Sequence, residues 1–78
     1  MKYIVVELQT DANGNVANIV TAKDTKNEAE SVYHSVLAAA ALSDLPCHAA
    51  TLMTNEGQVL KYQCYKNDDS EYWEGDVE

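Results

Sequence analysis

The chain begins with an alternation of apolar and polar residues that has the two-residue period of a β-strand. Asp11–Gly14 has the composition of a turn, and residues 15–23 predict a returning strand. The apolar run from Tyr3 to Val6 indicates that both faces of the first strand are covered at that end. On one face this strand would carry Ile4, Val6 and Leu8, and on the other Tyr3, Val5, Glu7 and Gln9.

The register of this first hairpin has two solutions. A three-residue loop would place Val16 and Val20 on the same face as Leu8. A four-residue loop would place Ala17 and Ile19 there instead, because a slip of one residue exchanges the two faces of a strand. Either solution leaves an apolar residue on the opposite face.

A helix is predicted next, from about Lys26 to Asp44. Thr25 and Glu28 match the capping box, in which a hydroxyl and a carboxylate bind free backbone N–H groups at a helix start. Pro46 ends the helical region, because proline restricts the residue before it to extended geometry. Apolar residues recur with the 3.6-residue helical period and form one stripe, which comprises Ala29, Val32, Tyr33, Val36, Leu37 and Ala40.

A second hairpin is predicted over residues 47–54 and 58–65. Its loop is Asn55-Glu56-Gly57, in which the glycine suits the left-handed position of a three-residue loop. On the better core face, the resulting register pairs Leu52 with Leu60, Ala50 with Tyr62 and His48 with Cys64. On the other face, it pairs Met53 with Val59, Thr51 with Lys61 and Cys47 with Tyr65.

These elements predict an α+β fold in the order β-β-α-β-β, a four-stranded, largely antiparallel sheet with the helix on one face. Residues 1–66 would form a single domain, and residues 67–78 a disordered acidic tail. One helix cannot cover both faces, so the uncovered face would expose an apolar association surface. We therefore predict a homodimer or higher oligomer, formed by face-to-face packing or edge pairing. The predicted interface comprises Tyr3, Val5, Met53, Val59 and Tyr65.

Composition and charge exclude some partners and favour others. The net charge is −8, with 13 acidic residues, five lysines and no arginine, which disfavours direct nucleic-acid binding. A chain of 78 residues is near the size at which one core becomes marginal, which favours oligomerisation. No segment approaches the about 20 apolar residues of a membrane span, and the first residues lack the pattern of a signal peptide. A soluble cytoplasmic protein with no membrane partner is expected.

The acidic tail has two interpretations. It has the composition of a disordered segment that aids solubility. It also suits a partner with a basic surface, because carboxylates would steer association while Tyr72 and Trp73 anchor in a pocket. The residues predicted to contact such a partner are Asp68, Asp69, Glu71, Tyr72, Trp73 and Glu74.

The candidate metal-binding and nucleophilic side chains have no spacing that defines a site. The available zinc ligands are His34, Cys47, His48 and Cys64. They include no C-x-x-C pair, and consecutive strand residues point to opposite faces. A thiol beside His48 would form a nucleophile and base, but nothing supplies an oxyanion hole or a third orienting residue. The predicted register puts the two cysteines on opposite faces, so no disulfide is expected. We predict no metal, no cofactor, no catalytic residue and no enzymatic activity.

Three segments carry a resemblance to a known class of proteins: MKYIVVELQT, the helical YHSVLAAAAL, and PCHAATLMTNEG with CYK in the second hairpin. Over about residues 1–66, the chain resembles short uncharacterised proteins encoded by phages and prophages of gut bacteria. The resemblance implies a mobile-element origin and host proteins as partners. It carries no activity over to any residue of this chain.

The sequence thus predicts a small, non-enzymatic protein-interaction module that self-associates. Three alternatives stay open. The first is an acidic counter-defence inhibitor that blocks a nucleic-acid-binding host protein. The others are a minor structural component of a virion and an oligomer that binds a small ligand between its subunits.

Overall fold

The computed structural model describes residues 1–67, which form a four-stranded antiparallel sheet and one α-helix. The sheet has the strand order β2-β1-β3-β4, so the two hairpins lie side by side and meet along β1 and β3. The predicted α+β class and order of elements are confirmed. The elements are β1 (Tyr3–Thr10), β2 (Val16–Lys23), α1 (Lys26–Ala41), β3 (Cys47–Thr54) and β4 (Val59–Lys66).

The first hairpin turns through a three-residue loop, which settles its register. The backbone N–H of Asp11 donates to the carbonyl of Asn15 at 3.0 Å, and the Asp11 carboxylate accepts from the backbone N–H of Asn13 and Asn15. Gly14 has φ +88°, the left-handed conformation in which glycine carries no steric penalty. The strands β1 and β2 are therefore paired so that Val16 and Val20 lie on the Leu8 face.

The second hairpin repeats this loop with different side chains. The backbone N–H of Thr54 donates to the carbonyl of Gln58 at 2.9 Å, and the Thr54 hydroxyl accepts from the N–H groups of Glu56 and Gln58. Gly57 has φ +94°, so the predicted left-handed glycine is confirmed. Asp11 and Thr54 thus have the same role, each with a side-chain oxygen that accepts the free N–H groups of its loop.

Replacing Gly57 with alanine is expected to lower the free energy of unfolding by about 1–2 kcal/mol, because a Cβ is disfavoured at positive φ. No heavy atom lies within 4 Å of the position that a Cβ would occupy, so the cost comes from the backbone alone. Urea unfolding measures the loss. The control, Gly57→Asn, should cost less because asparagine tolerates the left-handed region, and an equal loss in both variants would contradict this explanation.

A β-bulge near the loop shifts the second hairpin out of its predicted register. Met53 pairs with Val59 as predicted, but Leu52 pairs with Lys61, so Leu60 is an extra residue on β4. Beyond this point every residue of β4 lies on the face opposite to the predicted one. The predicted pairs are wrong there, and the observed pairs are Leu52 with Lys61, Ala50 with Gln63 and His48 with Tyr65.

The helix begins where the sequence predicts and ends earlier. The Thr25 hydroxyl accepts the backbone N–H of Glu28 at 3.2 Å, so the predicted N-cap is confirmed. At the other end the helix stops at Ala41 rather than Asp44. There the backbone N–H of Leu42 donates hydrogen bonds to carbonyls of the last helical turn, and these bonds end the helix.

The buried core lies between α1 and the two central strands. Val5, Ala50 and Leu52 from the sheet form one cluster with Ala29 and Tyr33 from the helix. All five side chains are almost fully buried, and the helical stripe predicted from the 3.6-residue period faces this cluster. The half-buried residues that pack against it are Tyr3, Val32, Val36 and Leu37.

Hydrogen bonds of Asn67 connect the end of β4 to the helix and to the loop after it. Its backbone N–H donates to the carbonyl of Pro46 at 2.9 Å, and its side-chain Nδ2 donates to the carbonyl of Ala40 at 3.1 Å. The sequence interpretation placed Asn67 in the acidic tail. In the structure its hydrogen bonds join it to the folded region.

Candidate functional site: the open face of the sheet

Alternate residues of each strand point to opposite faces of the sheet, and the registers assign each strand position to a face. The face that carries Val5, Ala50 and Leu52 packs against α1, and we call it the helix-side face. The opposite face, which we call the open face, holds four cross-strand rows. In the order β2, β1, β3, β4 the rows are Ala22, Ile4, Met53 and Val59; Val20, Val6, Thr51 and Tyr62; Asn18, Leu8, Ala49 and Cys64; and Val16, Thr10, Cys47 and Lys66.

The open face is apolar at its centre and almost uncharged. Within these four rows Lys66, at one corner, is the only charged residue. On the outer strands Val20 and Tyr62 are 60% and 72% exposed, whereas the β1 residues of this face are half-buried between their neighbours. A contiguous apolar surface of this kind typically marks an association site.

The helix-side face is the more polar of the two. It carries Glu7 on β1, Lys23 on β2 and Lys61 on β4. Lys61 Nζ lies 3.3 Å from Glu30 Oε2 of α1, and Glu7 is paired with His48. These two ion pairs therefore lie on the helix side, while the exposed pair Lys2–Asp24 flanks the Ile4 row just outside the strands. The more apolar face is the one that α1 does not contact.

The predicted interface residues of β1 lie on the helix-side face. Val5 is 1% exposed and belongs to the core cluster, and Tyr3 packs against that cluster. Their predicted position on the uncovered face is wrong. Both alternate sets of β1 are apolar enough to fill a core, and the structure turns inward the set that contains Glu7, which pairs with His48 on that side. The missed open-face residues Ile4, Val6 and Leu8 had no signal in the sequence, because a set without a charged residue has the composition of a core face.

The predicted interface residues of the second hairpin divide between the two faces. Met53 and Val59 lie on the open face, in one row with Ile4. Tyr65 lies on the helix-side face opposite His48, so its predicted position is wrong, and Tyr62 takes its place on the open face. The bulge is the cause, because one extra residue exchanges the two faces of β4.

A buried polar pair lies on the helix-side face. His48 Nε2 lies 2.6 Å from Glu7 Oε2, and Gln9 Nε2 donates to the same oxygen at 2.9 Å. The side chains of His48 and Glu7 are only 6% and 17% exposed. Because a carboxylate only accepts hydrogen bonds, His48 Nε2 carries the hydrogen. Its other nitrogen, Nδ1, is buried and has no hydrogen-bond partner among the described residues.

The surroundings of Glu7 favour its ionised form. Burial raises the pKa of Glu7, but the hydrogen bonds from His48 and Gln9 and the charge interaction with His48 together outweigh burial. The net pKa lies below the ordinary value of 4.5. This carboxylate therefore stays charged at neutral pH although it is largely buried.

A groove of about 580 Å³ lies between α1 and β4. Tyr33, His34 and Leu37 line it from the helix, and Lys61 and Tyr65 line it from the strand. The rings of Tyr33 and His34 meet edge to face with their centroids 5.5 Å apart. His34 is thus placed at this groove, away from the other candidate zinc ligands, which lie on β3 and β4.

The two cysteines lie together on the open face. Cys47 Sγ and Cys64 Sγ are 2.9 Å apart, and both thiols are free. The prediction that they face opposite sides is wrong, because the bulge moves Cys64 to the face of Cys47. Burial and the neighbouring Cys47 raise the pKa of Cys64 to about 11.

The structure does not bring a thiol and an imidazole together. Both cysteines lie on the open face, while His48 lies on the helix-side face and is bound to Glu7. The considered nucleophile-and-base pair is therefore not formed. Within residues 1–67, no group of three or more His, Cys, Asp or Glu side chains is placed to hold a metal ion.

The predicted partner-binding residues of the tail, from Asp68 to Glu74, lie outside the described residues. The acidic inhibitor hypothesis depends on them and stays a prediction. Among residues 1–67, no helix has the length and hydropathy needed to cross a membrane. Comparisons of the chain with protein-family models, curated proteins and solved structures found no match.

Proposed function

We propose that this chain is a self-associating protein-interaction module in which the open face of one copy binds the open face of another. The observation that carries the proposal is the distribution of charge between the two faces. The face against α1 contains Glu7, Lys23 and Lys61, whereas the open face has only Lys66, at a corner. Exposure of an apolar surface of this composition to water is unfavourable, and packing against a second copy would bury that surface.

The dimensions of the sheet just reach those of a specific interface. Four strands spaced about 4.8 Å apart, with strand residues rising about 3.4 Å each, give a face of about 500 Å² on each copy. Two such faces together reach about 1,000 Å², the lower limit for a specific interface. The small core of the monomer also favours association, because chains of this size bury a smaller fraction of their surface than larger domains do.

Face-to-face packing explains the exposed residues better than edge pairing. An edge-paired sheet would hide backbone groups of β2 or β4 but leave Val20 and Tyr62 in water, and they are 60% and 72% exposed in the single chain. Packed faces about 10 Å apart would cover both residues together with the row between them, Val6 and Thr51. We therefore propose an isologous dimer of two stacked sheets.

The test compares lysine substitutions at two neighbouring positions of β2. Val20 lies on the open face, and Ile19 lies on the helix-side face and is 51% exposed. Val20→Lys should weaken the dimer at least about 100-fold, because a two-fold interface would bury the unpaired charge twice. Ile19→Lys should leave the dimer intact.

Sedimentation velocity over a micromolar concentration series measures both effects, and circular dichroism checks that each variant is folded. The proposal predicts a dimer for the unmodified chain and for Ile19→Lys, and a monomer for Val20→Lys. A monomeric unmodified chain would refute self-association. Equal weakening by both substitutions would show that the copies meet elsewhere than on the open face.

A further inference from the structure

The two thiols on the open face lie close enough to form a disulfide bond after a small movement. Cys47 and Cys64 lie on the paired strands β3 and β4, with their sulfurs 2.9 Å apart. A disulfide bond is about 2.05 Å long, so the sulfurs need to approach by less than about 1 Å. The register places the two residues on a diagonal, with Cys64 opposite Ala49 and Cys47 opposite Lys66. Diagonal neighbours meet only when both side chains lean toward each other, as these two do.

The position of the pair gives such a bond a mechanical role. β4 is an edge strand, paired on one side only, and its pairing is interrupted by the bulge at Leu60. Cys64 lies near the end of β4, just before the point at which Asn67 contacts Pro46 and the chain continues into the tail. A bond from Cys64 to β3 would hold this end of the sheet closed.

We propose that Cys47 and Cys64 form a reversible disulfide that locks β4 onto β3 when the chain meets a small-molecule disulfide as oxidant. In the first step, one protein thiolate attacks the small disulfide, forms a mixed disulfide and releases one small thiol. In the second step, the other protein sulfur attacks the mixed disulfide and releases the second small thiol. The two protein thiols lose two electrons and two protons, and the small disulfide is reduced to two thiols.

The contact between the sulfurs makes the second step fast. Burial, followed by the contact with Cys47, raises the pKa of Cys64 to about 11. The two sulfurs lie side by side, so either can make the first attack and the other then resolves the mixed disulfide. At that stage the reaction is intramolecular.

The bond lies within one chain, but both sulfurs lie on the open face that the proposed dimer would cover, so oxidation is measured on the monomeric variant Val20→Lys as well as on the unmodified chain. The test uses the full-length reduced chain and oxidised glutathione as the probe. After quenching with iodoacetamide under denaturing conditions, intact mass should show a monomer about 2 Da lighter than the reduced chain and without iodoacetamide adducts. Peptide mapping should join Cys47 to Cys64. Persistence of both free thiols in Val20→Lys, or a disulfide-linked dimer on a non-reducing gel, would overturn the proposal.

Single substitutions test the resolving step. Cys64→Ser should stop at a stable glutathione adduct on Cys47, and Cys47→Ser at one on Cys64, because neither variant keeps a resolving thiol. Release of the adduct from either variant without a second protein thiol would contradict this two-step route.

Thermal unfolding tests the lock itself. Oxidation should raise the Tm of the unmodified chain by roughly 10 °C, because the bond restrains the unfolded chain, and amide exchange in β4 should slow. The double variant with serine at both positions is the control and should show no change with oxidant. A disulfide that forms without raising the Tm or slowing exchange in β4 would contradict the lock.

Discussion

Replacing Leu52 with alanine is expected to lower the free energy of unfolding by about 3–4 kcal/mol. Leu52 is fully buried, and it pairs with Val5 on one side and Lys61 on the other. The substitution removes its apolar contacts and leaves a cavity that the sheet cannot close, because the backbones of both neighbouring strands are held by their ladders. A chain of this size has little stability to lose, so the variant should be partly unfolded at 37 °C.

Urea unfolding followed by circular dichroism, at one fixed protein concentration, measures this loss. The fixed concentration matters because self-association would add to the apparent stability. The matched control is Leu42→Ala. Leu42 is 88% exposed, so this variant should remain within about 0.5 kcal/mol of the unmodified chain. Similar losses at both leucines would show that the core is not centred on Leu52.

Replacing His48 with alanine is expected to cost about 3 kcal/mol at pH 7. The Glu7 carboxylate would keep the hydrogen bond from Gln9 but lose the one from His48 while its side chain remains largely covered. Leaving a largely buried carboxylate without one of its hydrogen-bond donors is costly, because the protein has replaced its hydration. The cost is not larger, since Glu7 is 17% exposed and water can reach part of it. Chemical unfolding at pH 7 measures this cost, and a loss below 1 kcal/mol would show that the pair adds little.

The same pair makes stability depend on pH in the acid range. The pKa of Glu7 is lowered in the folded chain, so the unfolded chain binds a proton more readily. The contribution of this carboxylate is therefore complete above its ordinary pKa of 4.5 and is lost as the pH falls through the lower folded value. Glu7→Gln should remove this acid-dependent part, so its stability should fall less steeply below pH 5. Glu56→Gln, at an exposed loop carboxylate, is the control and should keep the full acid dependence.

Local rules were sufficient to predict the elements and their order. The Thr25 N-cap, the left-handed Gly57 and the helical stripe that includes Tyr33 each depend on a few neighbouring residues. Such features follow from short-range sterics and hydrogen bonds, which the sequence displays directly. The end of the helix was less predictable, because alanines and Leu42 have no stop signal of their own and the closing bonds come from the last turn.

Which side chains lie on which face of the sheet could not be predicted from local patterns. On β1, the Val5 set faces inward, and the side chain that pairs with its Glu7 lies 41 residues further along the chain on β3. On β4, one unpaired leucine reversed every later side chain. The sequence of β4 contains no glycine or proline that would mark the bulge. These two long-range effects account for the interface residues that were placed on the wrong face.

At the centre of the open face the side chains of β1 are larger than those of β3. They form a ridge along β1 and a trough along β3. Val6 and Leu8 of the ridge lie directly beside Thr51 and Ala49 of the trough. A two-fold axis parallel to the strands would lay the ridge of one copy over the trough of the other, whereas an axis across the strands would oppose ridge to ridge and leave the troughs unfilled. Because protein interfaces, like protein interiors, are packed with few voids, this unevenness distinguishes the two ways of stacking the sheets and favours the parallel axis.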